Sequence, residues 1–308
     1  MVRMVMRGPR DWQPAANEFY VSRFLAADPA RDYGPPPMPQ LPFALLPPRL
    51  RSFGAVNWIG LWTLYIKEVR RFFKVFMQTV AAPVVTTLLF LAIFLLALGG
   101  GGRQIAGIPY VEFLVPGLIM MAITQNAFAN TSSSLVIGKM QGNIVDVLTP
   151  PLSPAELTIG MALGGATRGA IVGLVVGLVL TPIAAIHVSS LAAILFYGIA
   201  ASLLMSLLGI IAGLWADKFD HIATITNFVV TPLTFLSGTF YSIGQLPAPW
   251  RLVAHLNPFF YMIDGFRYGF TGTAEGSLGV GVTLMALLNL ALLALCHRLF
   301  VTGYKLKA

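Results

Sequence analysis

Residues 160–186 read GMALGGATRGAIVGLVVGLVLTPIAAI, with Arg168 the only charged side chain in the run. Crossing a hydrocarbon core about 30 Å thick takes about 20 apolar residues of helix, so this run is long enough to span a bilayer. Within it Gly165, Gly169, Gly173 and Gly177 recur at every fourth position, and Gly160 and Gly164 add a second pair. Glycines at that spacing line one helix face and let another backbone come close. The ladder reads either as a tight packing seam or as a smooth face that slides during a transport cycle. A charge within hydrocarbon suggests function. The stretch after Arg168 is long enough to span alone, however, which would leave Arg168 at the cytoplasmic headgroup level.

Working outward, five more apolar segments of spanning length stand near 76–98, 112–137, 190–215, 222–242 and 277–300. Of 308 residues, 56% are apolar and only 10% charged. A soluble domain carries about 25% charged residues, so lipid is the expected solvent. The net charge of +8 would suit nucleic acid or an anionic membrane surface. The hydrophobicity decides for the bilayer, and no nucleic-acid partner is expected. The expected fold is an all-α membrane protein with six transmembrane helices.

Charge placement orients it. With the amino terminus inside, sixteen Lys and Arg fall on the cytoplasmic side and three outside, with Arg168 inside the third segment. Leaving out the tail arginines up to Arg51 still gives nine against three. Both termini are therefore expected in the cytoplasm, in a multi-pass protein of the inner (plasma) membrane.

Residues 1–55 hold ten prolines between Pro9 and Pro48 and no apolar core of the kind a signal peptide has. They read as a largely disordered cytoplasmic tail, with a short helix around Asn17–Ala26. Residues 56–308 form the transmembrane domain. It opens with NWIGLWTLYIKEVRRFFKV, residues 57–75, where Trp58, Leu61, Trp62, Tyr65, Val69, Phe72 and Phe73 recur at helical spacing. Lys67, Arg70, Arg71 and Lys74 add basic charge. This is the pattern of an amphipathic helix in the headgroup layer.

Polar stripes cross two of the segments. Gln125, Asn126, Asn130 and Thr131 to Ser134 make the cytoplasmic half of the second segment polar, and Asn126, Asn130 and Ser133 share a face. In the fifth segment Thr224, Asn227, Thr231, Thr234 and Gly238 step by three and four. The stripes read either as interhelical hydrogen bonding or as the lining of a substrate route.

The loop GKMQGNIVDVLTPPLSPAE, residues 138–156, offers a short helix over Gly138–Val147 stopped by Pro150 and Pro151. A new helix start follows at Ser153-Pro154-x-Glu156, with serine as cap and proline at the first helical position. A short helix between two spans is a place for a partner to push.

Other chemistry is missing from the sequence. No G-x-x-x-x-G-K-[ST] phosphate loop occurs, and Gly99–Gly102 lacks the lysine. The four histidines are scattered without metal-ligand spacing, so no metal site is expected. No serine sits in a nucleophile elbow, and no catalytic residue is expected. The lone Cys296 permits no intrachain disulfide and reads as a small apolar helix residue.

The stretch FLSGTFYSIGQLPAPWRLVAHLNPFFYMIDGFRYGF, residues 235–270, resembles the signature of the type-2 ABC exporter permeases. The order is Ser237-Gly238, Leu246-Pro247, Asn257-Pro258, then an aromatic stretch ending in Arg267. The resemblance covers about 57–305. It implies a homodimer, or a pairing with a sister permease, bound to two copies of an ATPase subunit that carries ATP and Mg. This chain would hold no cofactor and would not be an enzyme. The resemblance puts a coupling helix near Lys139–Leu148, with Asn143 and Asp146 on it, and gives the interface helix, with Lys67 and Glu68, a second contact with the ATPase. It also implies that 243–276 dips back into the outer leaflet, which suits the aromatic residues there. The cargo would be a lipid-linked, polysaccharide-like or drug-like amphipathic molecule. Competing readings are a self-sufficient secondary transporter or channel, against which the scarcity of intramembrane acids weighs, and an intramembrane lipid enzyme using Asp264 and Glu275.

Overall fold

The computed structural model describes Gly54 and residues 56–97, 104–105 and 107–306. The expected tail, apart from Gly54, and its short helix around Asn17–Ala26 lie outside the described residues. Helix α1 (Trp58–Phe73) leads into α2 (Met77–Ala97), whose first turn is a π-helix. A two-stranded antiparallel hairpin, β1 (Gln104–Ile105) and β2 (Ile108–Pro109), follows. Then come α3 (Tyr110–Met140), the short α4 (Ile144–Leu148), α5 (Pro154–Ile183) and α6 (Leu191–Trp215). The chain closes with α7 (Phe219–Thr239), α8 (Ala248–Leu256), α9 (Pro258–Thr271) and α10 (Leu278–Thr302).

Six of these, α2, α3, α5, α6, α7 and α10, are long and apolar enough to cross a membrane. α3 is the hub. Of its apolar window 83% is buried, against 17% for α2 and 11% for α10, so α3 is the core and the other two present their sides outward. It packs between α5 and α6, and α9 and α2 cover the rest.

The glycine ladder explains how α5 approaches the hub. A Cβ on Gly165, Gly169 or Gly173 would lie closer than 3.0 Å to Thr131, Ala127 and Ile123 respectively. Each step of four along α5 is a step of four back along α3, the register of two antiparallel helices in near-backbone contact. At Gly177 the nearest atom, on Ile119, is 3.7 Å away, so the seam opens towards that end. Thr131 locks the seam. Its hydroxyl donates to the Ser206 carbonyl of α6 at 2.7 Å, and Ser206 Oγ donates to the Ala162 carbonyl of α5 at 2.8 Å.

α5 starts on a full capping box. Ser153 Oγ accepts from Glu156 N at 3.3 Å, and Glu156 Oε2 accepts from Ser153 N at 2.6 Å. The other oxygen, Oε1, accepts from Asn57 N at 2.5 Å, at the cap of α1. Asn57 in turn accepts from Gly60 N at 2.9 Å and donates to the Pro151 carbonyl at 3.1 Å. One carboxylate therefore anchors two helix starts, satisfying donors that a helix leaves orphaned. Cys296 is buried in α10, with its thiol 3.5 Å from the Leu207 carbonyl.

Candidate functional site

Chemistry-bearing side chains gather at the two ends of the bundle. At the α1 end, Glu68 is fully buried on α1. A Cβ on Gly164 would lie closer than 3.0 Å to its Cβ, so that glycine makes room for the stem of the Glu68 side chain. Glu68 Oε2 accepts from Arg71 Nε at 3.3 Å, Oε1 accepts from Ser134 Oγ at 2.8 Å, and Lys67 Nζ stands 3.6 Å from Oε1. Arg71 reaches on to α3, donating to Ser133 Oγ at 3.1 Å, to the Asn130 carbonyl at 2.5 Å and to Asn130 Oδ1 at 2.9 Å. One turn further in, Arg168 of α5 donates to Asn126 Oδ1 at 3.1 Å. Buried charges persist where they are paired and hydrogen-bonded, and this network clamps α1 onto α3.

Asn126, Asn130, Ser133 and Ser134 of the α3 stripe thus all bond within the fold. Asn126 and Asn130 face α5 and α1, and Gln125 is half-buried beside them. Glu68, expected at a partner contact, has no exposed surface and serves this clamp, while Lys67 remains exposed. Two signals could have located the clamp: Glu68 is the one acid in a run of four cations, and Asn130 and Ser133 share a face. Arg71, its central residue, was singled out only as a basic charge.

The single short helix expected around 139–148 is split. α3 runs on to Met140, a turn at Gly142 (φ +72°) breaks it, and α4 begins at Ile144. Lys139 therefore ends α3 and points to α6, donating to the Leu214 carbonyl at 2.8 Å and lying 3.7 Å from Asp217. Lys305 joins it, donating to the Trp215 carbonyl at 2.8 Å and to Asp217 at 3.0 Å. Two ammonium groups thus neutralise the negative end of α6. The Lys305 bond, helped by the nearby charges of Lys305, Lys139 and His221, holds the Asp217 carboxyl below the usual carboxylate range. On α4 itself Ile144 is buried, while Val145, Asp146 and Leu148 are exposed, as is Asn143 before it. A cleft of about 560 Å³ lies between α4 and α1, bounded by Gly60, Lys67, Ser134, Asn143, Asp146 and Leu152.

The stripe expected along the fifth segment runs from an exposed end to a buried one. Thr224 and Asn227 are exposed, Thr231 is half-buried, and Thr234 and Gly238 are buried. The whole first stretch, Phe219–Ile225, has no buried residue, and α7 enters the bundle only further on. Two π-helical stretches, Thr226–Val230 and Phe235–Thr239, widen its turns on the way.

At the opposite end the residues of the 235–270 signature converge. α7 breaks at Ser237-Gly238, where Gly238 takes φ +80°. Ser237 Oγ donates to the Leu233 carbonyl and accepts from Asn257 Nδ2 at 2.8 Å. Asn257 also caps α9, accepting from Phe259 N at 3.1 Å, with Pro258 at the first helical position. Pro247 likewise precedes α8. Arg267, fully enclosed, donates to the Gly238 carbonyl at 2.7 Å and the Phe113 carbonyl at 3.1 Å, over the Phe113 ring at 3.6 Å. Asp264 accepts from Glu275 N and Gly276 N, each at 2.9 Å, and Glu275 accepts from Ile243 N at 2.9 Å. Spacing alone did not reveal that these residues hold one another.

Residues 60–271 match the family described as ABC-2 type transporter. The chain belongs to the ABC-2 type transporter family. It is 36% identical over 251 residues to the inner membrane transport permease YadH of Escherichia coli (strain K12), covering 82% of this chain and 98% of that protein. It is 27% identical over 239 residues to nodulation protein J of Rhizobium leguminosarum bv. viciae, covering 74% and 88%. Membership makes it a transmembrane permease subunit of an ABC transporter, a transport subunit rather than a catalytic enzyme. Both the α1 clamp and the Ser237–Arg267 knot fall inside the part that matches ABC-2.

Proposed function

We propose that this permease is the membrane half of an inner-membrane exporter, driven by two copies of a separate ATPase subunit that carries ATP and Mg. It works as a homodimer or beside a sister permease, with both termini in the cytoplasm. Its cargo is an amphipathic molecule of lipid-linked, polysaccharide-like or drug-like kind. The observation that carries the reading is α4, a short helix between the two longest spans. It sets Ile144 into the fold and leaves Val145 60% and Leu148 37% exposed beside Asp146. Exposed apolar side chains beside an acid, on a short helix between two spans, suit a surface that a partner covers. Val145, Asp146 and Leu148, with Lys67 across the cleft, are the contact with the ATPase.

Supporting features surround it. Trp58, Ile59 and Trp62 are exposed on α1, as suits a helix in the cytoplasmic headgroup layer. On α8, Trp250, Leu252, Val253 and Leu256 are exposed, as suits an α8–α9 pair dipping into the outer leaflet. The motor's stroke on α4 would pass through the α1 clamp to α3. The test is co-purification of the full chain with the ATPase encoded beside it, and ATP turnover of the pair in liposomes. Val145→Asp and Asp146→Ala are expected to weaken association or coupled turnover. Undiminished association and turnover in both variants would remove α4 from the contact. Cargo flux from this chain alone, without ATP, would favour a secondary transporter.

A further inference from the structure

We propose that Arg168 and Asn130 form a receiving point for an acidic oxygen, the phosphate or carboxylate of an amphiphile lying along the α1 end of the bundle. The proposal rests on the transporter reading above only where it narrows the cargo. Its physical basis is an imbalance of donors and charge. Arg168 Nε and Asn130 Nδ2 are buried nitrogens without a hydrogen-bond partner among the described residues. The acceptors around them are spent. Asn126 Oδ1 takes Arg168, Asn130 Oδ1 takes Arg71, and Glu68 takes Arg71 and Ser134. The cluster therefore sets Arg71, Arg168 and Lys67 against the single carboxylate of Glu68. Among the described residues no carboxylate forms an ion pair with Arg168.

Both unpaired groups are donors, so what they lack is an acceptor, and the uncompensated charge makes it an anion. Water could accept from the nitrogens, but it would leave the charge unbalanced. A guanidinium fork matches a phosphate or carboxylate in shape as well as charge. The two groups lie along one seam: Asn126, which takes Arg168, is one turn of α3 from Asn130, and the Cβ position of Gly164, one turn of α5 from Arg168, is 3.9 Å from Asn130 Nδ2. Arg70 and Lys74, exposed on the last turn of α1 and just after it, would draw acidic headgroups towards the site.

Two sources share this chemistry: a bilayer phospholipid and an acidic cargo. The full chain in neutral detergent is titrated with phosphatidylglycerol, dodecyl phosphate and phosphatidylcholine, and retained molecules are counted by native mass spectrometry. The wild type is expected to retain the two acidic probes over phosphatidylcholine. Arg168→Gln is expected to weaken that retention about tenfold, the scale of one charge-assisted hydrogen bond. Arg251→Gln, on α8 at the opposite end of the bundle, is expected to leave it unchanged. Should Arg168→Gln fail to fold, Arg168→Lys keeps the charge without the fork and is expected to lose retention severalfold. Retention at the wild-type level in whichever variant folds overturns the site and leaves the two nitrogens to water. With the ATPase added, dodecyl phosphate that raises ATP turnover in the wild type but not in Arg168→Gln identifies the acid as cargo. Phosphatidylglycerol retained with turnover unchanged identifies it as a bilayer lipid. Loss of ATPase association with acid retention intact strikes the transporter reading and leaves this site standing.

Discussion

Arg267 donates to the carbonyl of Gly238 at 2.7 Å, across 29 residues of chain. That carbonyl is free because α7 breaks there, with Gly238 in the left-handed region. A helix break buried in protein needs such a partner, since an unsatisfied buried carbonyl costs about 1–3 kcal/mol. Arg267→Met should therefore destabilise the chain by about 2–5 kcal/mol, from two orphaned carbonyls and the lost stack on Phe113. Thermal unfolding in detergent checks this, and a midpoint equal to wild type would show that the break holds itself.

Asn257 fastens the same break from the other side and caps α9. Asn257→Ala should cost about 1–2 kcal/mol for the cap and its bond to Ser237. Because Asn257 and Arg267 hold adjacent residues of α7, the double variant should cost less than the sum of the two.

The clamp of α1 predicts a different pattern. Glu68→Ala leaves Arg71 without its carboxylate and should cost about 3 kcal/mol, whereas Glu68→Gln, similar in shape, should cost less. Coupled ATP turnover should fall further than stability does, because α1 and α3 would no longer move together. Turnover that tracked folded fraction alone would reduce the clamp to a structural role.

The glycine seam gives a graded series. Gly169→Ala and Gly173→Ala place a methyl closer than 3.0 Å to α3 and should each cost about 1–3 kcal/mol through overpacking. Gly177→Ala meets nothing nearer than 3.7 Å and should be neutral or slightly stabilising, since alanine favours helix. A flat response across the three positions would count against the close seam and favour a loose, sliding face.

Asp217 supplies the pH dependence. Its carboxyl is held below its ordinary range chiefly by Lys305. Its contribution is present above the unfolded value, about 3.9, and is lost as pH falls through the lower folded value. Protection of the amides of residues 214–221 from hydrogen exchange, taken relative to the intrinsic rate at each pH, should be constant from pH 7 down to about 5 and fall below about 4. Asp217→Asn should show the lower protection at all pH values.

The six spans and the helix start at Ser153 were legible because they depend on local chemistry: run length and capping residues. The clamp was only half legible. Glu68 and Asn130 each stood out, but 62 residues separate Arg71 from Ser133, and no pattern within one segment says that they meet. The π-helical turns of α7 leave no mark in the sequence, since an apolar run fixes a span and not the width of its turns. The short helix expected around Lys139 is displaced for a local reason: Gly142 puts the break three residues beyond it, so the lysine stays on the long helix.

The carboxylate shared between Asn57 and Ser153 also bears on how the protein is made. Asn57 and Glu156 are 99 residues apart. At about 5–20 residues per second, α1 leaves the ribosome roughly 5–20 s before the group that caps it. Through that interval its first turn waits with an orphaned amide, and the first two spans must enter the bilayer without it. The arrival of Glu156 then completes the caps of α1 and α5 together.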